Sequence, residues 1–241
     1  MLKHLLIRDS QMVIQSRKSV PLLAILLVCL STVSVSAQRR GKTVDLFNGK
    51  DLSGWVTAQG EAVTAGWDVV DGMLKLTGKG GGNIFTDRKY ADFDLEFEWK
   101  IPVGGNNGVK YRVREYDGAI LGIEYQLLDD SAHKFEKSSK QSCGSIYAIK
   151  GPSIDKVVKS FDGFNHSRIV VRRNHITHYL NGAVICEQKV GNRDWDERIA
   201  QSKFKDRKDF GENKSGLIML TEHGNETYFR NIRLTPLGRQ P

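Results

Sequence analysis

Two consecutive segments that alternate residue by residue constrain this chain more than any other feature. Read with a period of two, Gly108-Val109-Lys110-Tyr111-Arg112-Val113-Arg114 sets Val109, Tyr111 and Val113 on one side and Lys110, Arg112 and Arg114 on the other. Gly122-Ile123-Glu124-Tyr125-Gln126-Leu127 does the same, with Ile123, Tyr125 and Leu127 opposed to Glu124 and Gln126, until the alternation stops at Leu128-Asp129-Asp130. Strands separate residues in this way and helices do not. The turn signal Tyr116-Asp117-Gly118 lies between the segments, so antiparallel pairing is the simplest topology. A pair of this kind carries an apolar layer beneath and a charged layer above, with a basic row facing an acid and an amide. On a solvated face that is ordinary cross-strand stabilisation. On a concave sheet it lines a polar cleft.

The same grammar runs through the chain. Short strands are expected over Val44 to Phe47, Cys143 to Ile149, Ser167 to Arg173, Thr177 to Leu180, Ala183 to Glu187, Leu217 to Leu220 and Glu226 to Leu234. Asp71-Gly72 closes a hairpin over Trp67 to Leu76, and Asn181-Gly182 closes a second. Phe93 to Ile101 alternates with Phe93, Leu95, Phe97 and Trp99 inward. One helix is expected, Asp194 to Phe204, with Trp195, Ile199 and Phe204 as its apolar stripe. About a dozen short strands with closely spaced turns predict an all-β sandwich or jelly roll. The glycine-rich stretch Gly78 to Gly82 lacks a following Lys-Ser/Thr and a helical pattern, which excludes a phosphate loop and leaves a flexible loop bordering a cleft.

The first 37 residues read differently. Lys3, Arg8, Arg17 and Lys18 precede an apolar run from Pro21 to Leu30 and a small-residue stretch ending Val35-Ser36-Ala37. This is the order of a secretory signal, with cleavage expected after Ala37 and a periplasmic or secreted product. The apolar run is short for a membrane span. A lipoprotein reading at Leu26-Leu27-Val28-Cys29 is weaker, because Val28 is bulky where a small residue is expected. Removing residues 1–37 takes away four bases and one acid, so the formal charge falls from +8 to +5. With acids and bases interleaved and no basic helix, nucleic acid is excluded as a partner. The remaining thiols, Cys143 and Cys186, either pair in an oxidising compartment or stay buried and free, and two cysteines without ligand spacing make no zinc site.

Several stretches, taken in order, resemble the 3-keto-disaccharide hydrolase family. They are Leu46-Phe47-Asn48-Gly49-Lys50-Asp51-Leu52-Ser53-Gly54-Trp55, Trp67-Asp68-Val69 with Asp71-Gly72, and Asp92-Phe93-Asp94-Leu95-Glu96-Phe97-Glu98-Trp99. Asn107 to Arg112 and Glu124 to Asp130 resemble its central pair; His178-Tyr179-Leu180-Asn181-Gly182, Ser202-Lys203-Phe204, His223-Gly224 and Phe229-Arg230-Asn231-Ile232 resemble its second half. The likeness runs from about Val44 to Leu234. Leu220-Thr221-Glu222-His223-Gly224 departs from the Leu-Gln-Asp-His-Gly often found there, and Phe164-Asn165 from a common Trp-Asn.

The resemblance implies a concanavalin A-like jelly roll of two antiparallel sheets and a small carbohydrate substrate oxidised to a ketone at C3. Such a ketone acidifies the C2 proton, so a base can form an enolate, expel the C1 oxygen and leave an enone to be hydrated. That needs a base, a cation at the enolate oxygen and an acid at the leaving oxygen. Glu124 is the first candidate base, with His178 and His223 as further catalytic candidates. Lys110 and Arg112 are candidates for the enolate or the sugar hydroxyls, alongside Gln126, Asp129, Asp130 and His133. Asp129 and Asp130 are also candidates for calcium or another divalent ion. Glu124, Gln126, Lys110 and Arg112 are expected to line one cleft, with His178 and His223 at its edge. A non-catalytic carbohydrate-binding module and a structural surface protein are the alternatives.

Overall fold

The computed structural model describes residues 40–78, 80–159 and 163–238; the leader expected at 1–37 lies outside them. Thirteen strands and one helix follow in order: β1 (Val44–Asp45), β2 (Trp55–Val56), β3 (Trp67–Val70), β4 (Met73–Leu76), β5 (Ile84–Thr86), β6 (Phe93–Lys100), β7 (Asn106–Tyr116), β8 (Ala119–Leu128), β9 (Asn165–Arg172), β10 (His175–Leu180), β11 (Ala183–Lys189), α1 (Arg193–Ala200), β12 (Leu217–Leu220) and β13 (Thr227–Pro236). They form two sheets. The larger runs β11-β10-β9-β6-β13-β4-β3 with β1 also on β13, and the smaller runs β2-β5-β12-β7-β8. Every strand pairing is antiparallel. This is the all-β jelly-roll sandwich with one short helix that the strand pattern and the family likeness predict. No helix among the described residues is long and apolar enough to cross a membrane.

The hairpin turns fall where the sequence puts them. Asp71-Gly72, Asp117-Gly118 and Asn181-Gly182 all have positive φ at both positions, as a tight two-residue turn requires. Between the sheets, Phe93, Leu95, Phe97 and Trp99 of β6 face Val109 and Tyr111 of β7 and Ile123, Tyr125 and Leu127 of β8, all fully buried. The polar atoms of this core are paired, as burial demands. Trp99 Nε1 donates to Ser167 Oγ (2.8 Å), Ser167 to Tyr125 Oη (2.9 Å), and Tyr125 to the Tyr179 carbonyl (3.0 Å).

The helix and the Cys143 segment depart most from expectation, and β2 and β5 had no expected counterpart. The helix stops at Ala200 rather than Phe204. Ser202 Oγ bonds the Ile199 carbonyl and accepts the Phe204 amide, which turns the chain, and Phe204 stacks on Phe210 at 3.9 Å. Cys143 to Ile149 is a string of turns that bridges the free edge of β8: Gly144 donates to the Gln126 carbonyl (2.8 Å) and Tyr147 to the Glu124 carbonyl (3.0 Å). Cys143 and Cys186 are both buried and unpaired.

Candidate active site

The site grows out of the β7–β8 register. Lys110 stands opposite Glu124, and Gly108 opposite Gln126. Lys110, Glu124 and Gln126 therefore share the face of the smaller sheet that points away from the core. Glu124 is only 5% exposed, and its Oε2 lies 3.6 Å from Lys110 Nζ. The carboxylate leans across Gly108, where a Cβ would stand 2.2 Å from Oε1, so the acid can take this position because glycine precedes Lys110 by two residues. Gln126 Nε2 donates to Asn106 Oδ1 (2.9 Å). Its amide holds the strand start rather than an ion.

A cleft of about 260 Å³ opens over this face, lined by Lys110, Leu121, Gly122, Glu124, Lys203, Phe204 and Arg207. The turn after α1 supplies Lys203, whose Nζ sits 4.2 Å from the centre of the Tyr147 ring. Tyr147 arrives on the segment bridging the β8 edge. His223 comes from the β12–β13 connection; it is an exposed residue and does not line the cleft, but it lies close enough to Glu124, Lys110 and Lys203 for their charges to act on it. Electrostatics ties the groups together. Desolvation lowers the Lys203 pKa; Glu124 opposes and Lys110 adds to the effect. Protein packed around the His223 imidazole lowers its pKa, with Glu124 opposing and Lys110 and Lys203 reinforcing. Tyr147 is raised, by burial and then by Glu124. At neutral pH the resting site thus holds a neutral imidazole and a protonated phenol near Glu124.

Other expected residues lie elsewhere. Arg112 does not join the cleft. The β7–β8 register slips between Tyr111 and Arg114, Arg112 takes φ +51°, and after this bulge Tyr116 rather than Val113 faces the core. Arg112 is fully buried, and its guanidinium donates to the Gly211 (3.0 Å) and Arg173 carbonyls. Gly122, inside a strand, was the signal: a Cβ there would lie 2.7 Å from the Tyr111 carbonyl and from Val113 Cγ2. His178 is not at the cleft edge either. It lies in the core between the sheets, taking a hydrogen bond from Tyr111 Oη at Nε2 (2.8 Å) and donating from Nδ1 to the Gly144 carbonyl (3.0 Å). Burial holds its pKa down at about 4.

The acid pair is structural in its contacts. Asp129 accepts the Gly104, Ser131 and Ala132 amides and the Ser131 hydroxyl. Asp130 accepts the Cys143 amide (2.7 Å) and pairs with buried Lys156 (2.7 Å). Donors fill their oxygens, an arrangement that does not fit a calcium ion, and no group of three or more His, Cys, Asp or Glu among the described residues is placed to hold a metal. His133 is exposed, stacks on Phe135 and reaches the Gly104 carbonyl (3.1 Å). Neither Asp129, Asp130 nor His133 lines the cleft over Glu124. Conversely, Lys203 and Tyr147 received no role from the sequence. Lys203 lay within a family-like motif; Tyr147 lay in a stretch read as a plain strand.

Fold and cleft together define a concanavalin A-like jelly roll that carries an acid–base cleft on the outer face of its smaller sheet. Residues 42–235 match the family described as the 3-keto-alpha-glucoside-1,2-lyase-like domain, and the chain belongs to that family. A 3-keto-disaccharide hydrolase of Bacteroides thetaiotaomicron is 30% identical, covering 80% of this chain and 78% of that protein. Two crystal structures from Parabacteroides distasonis, whose assignment as glycosyl hydrolases is provisional, are also similar. One is 31% identical with a TM-score of 0.72, covering 81% of this chain and 94% of that one. The other is 30% identical with a TM-score of 0.65, covering 82% and 100%.

Proposed function

We propose that this protein cleaves glycosides whose sugar carries a C3 ketone, by removing the C2 proton and eliminating the C1 oxygen. As a member of its family it is a carbohydrate-cleaving enzyme; the mechanism is our reading of the cleft. The observation that carries it is the charge inventory. Glu124 is the one carboxylate among the described residues lining the cleft, and basic side chains surround it. Ordinary glycoside hydrolysis takes two carboxylates flanking the bond. Proton abstraction beside a ketone takes one base and a cation for the oxygen that becomes negative.

In the elimination half, Glu124 takes the C2 proton, the C–H electron pair passes through the enolate, and the C1–O bond breaks to leave a C1=C2 enone. The departing oxygen takes a proton from an acid in the cleft. In the hydration half, water adds at C1, that acid is restored by the water's proton, and Glu124 returns its proton to C2. Lys110 Nζ lies 3.6 Å from Glu124 Oε2, so a cation stands beside the base.

A small panel of 3-keto-glycosides, each beside its unoxidised parent, tests this. Wild type should release product from keto substrates alone. Glu124→Gln should lower turnover by roughly 10²–10⁴-fold, the usual size of a general-base contribution, with little change in melting temperature because shape is kept. Near-wild-type turnover in that variant would remove Glu124 from the mechanism. Sugar binding without turnover by wild type would point to a binding module.

A further inference from the structure

Elimination needs a cation where charge builds on the C3 oxygen, and the cleft narrows the choice. Arg112 is buried at the bulge, bonded to two carbonyls. Lys110 is held to the base itself. Arg207 turns to the Tyr116 carbonyl (3.3 Å) and the Asp117 carboxylate (3.4 Å). Lys203 lines the same cleft, and among the described residues it has no carboxylate partner in a salt bridge.

We infer that Lys203 is the catalytic cation that holds the enolate oxygen, and that Tyr147 is the positioning residue that fixes its ammonium; this rests on the reading of the site given above. The backbone supports it. Lys203 sits between two anchored neighbours: Ser202, buried and bonded to the Ile199 carbonyl (2.8 Å) and the Phe204 amide (3.0 Å), and Phe204, stacked on Phe210. A long side chain projected from so fixed a stub loses less freedom on engaging substrate. The ammonium is also held without being neutralised. It lies 4.2 Å from the centre of the Tyr147 ring and 5.2 Å from that of Phe204, so the rings attract the charge and leave its N–H donors for a ligand. When Glu124 takes the C2 proton, the electron pair moves into a C2=C3 bond and the C3 oxygen becomes an oxyanion. Lys203 donates a hydrogen bond to it and keeps its own proton. When the C1–O bond breaks, the pair moves on to C1=C2, the ketone returns, and the interaction weakens.

Full-length variants assayed on a 3-keto-glucoside test the inference, with turnover and exchange of the C2 hydrogen in heavy water as readouts. Lys203→Met should lower kcat by about 10²–10³-fold, the size found for losing one oxyanion donor, while melting temperature stays put because the side chain is open to solvent. Wild-type rate should fall at alkaline pH as Lys203 loses its proton. Lys203→Arg should recover part of the rate and move that limb to higher pH. Tyr147→Phe, which keeps the ring, should stay within about 3-fold of wild type, while Tyr147→Leu should lower kcat about 10-fold and shift the alkaline limb. Lys203→Met within about 3-fold of wild type would overturn the assignment, provided Glu124→Gln is impaired in the same assay. Absence of turnover and exchange in wild type would instead overturn the keto-sugar reading beneath it.

Discussion

At the scale of single residues, burial separates the two histidines. His178 and His223 both fell in family-like motifs, yet one is sealed between Tyr111, Tyr125 and the Gly144 carbonyl and the other is an exposed residue within electrostatic reach of Glu124. For His178 the consequence is a linkage to stability. Its folded-state pKa, about 4, lies below the ordinary 6.5, so the unfolded chain takes up the proton first. The stabilisation is present above pH 6.5 and is lost as pH falls toward 4. The full loss is on the order of 3 kcal/mol. Urea unfolding across that window should show the decline in wild type and a shallower one in His178→Gln; equal slopes would show that His178 does not titrate there. Part of this was legible. Ile176, His178 and Leu180 alternate, which already puts the imidazole with the apolar residues. Asp129 was not legible as a turn holder, because the amides it accepts come partly from Gly104, 25 residues away.

At the scale of elements, the β7–β8 pair was legible and its irregularity was not. Alternation and Asp117-Gly118 give the hairpin, but alternation extrapolated through Arg112 puts a buried structural arginine into the cleft. A bulge is a two-against-one mismatch between strands. One strand's sequence carries only its complement, here Gly122. Gly108 makes the converse point, since its missing side chain is what lets Glu124 lie over the strand. Gly108→Ala should therefore displace the carboxylate and cut turnover of a 3-keto-glycoside by roughly 10–10²-fold, as misplacing a catalytic group does. The clash is with the far end of a flexible side chain, so unfolding by heat should change little. A variant with full activity would mean that the leaning position is not the working one. Lys203 was hidden for a related reason. It leaves a turn that exists because the helix ends at Ala200, and the apolar stripe carried the expected helix on to Phe204.

At the scale of the whole molecule, the strand pattern specifies a sandwich, while the choice of face depends on what covers it. The outer face of the larger sheet carries paired charges such as Arg168–Asp94 and Arg230–Glu98. The outer face of the smaller sheet is the one over which the turn after α1 and the segment bridging β8 close a cleft. That bridging segment begins at Cys143, and the sandwich fixes the fate of both thiols. Cys143 is fully buried with its pKa pushed up to about 12, and Cys186 is buried with its pKa raised, chiefly by desolvation. A thiol held so far above neutral pH yields almost no thiolate, the form that attacks disulfides and oxidants. We propose that the chain is exported with loss of residues 1–37 and that the mature protein keeps both thiols reduced even in an oxidising compartment. Protein purified from its host should give an intact mass starting at Gln38 without the two-hydrogen deficit of a disulfide. Ellman's reagent should find neither thiol in the native protein and both after unfolding in denaturant. An intact N-terminus would reject export, acylation at Cys29 would favour the lipoprotein reading, and a disulfide-sized mass deficit would show that the two sulfurs move together in the native enzyme.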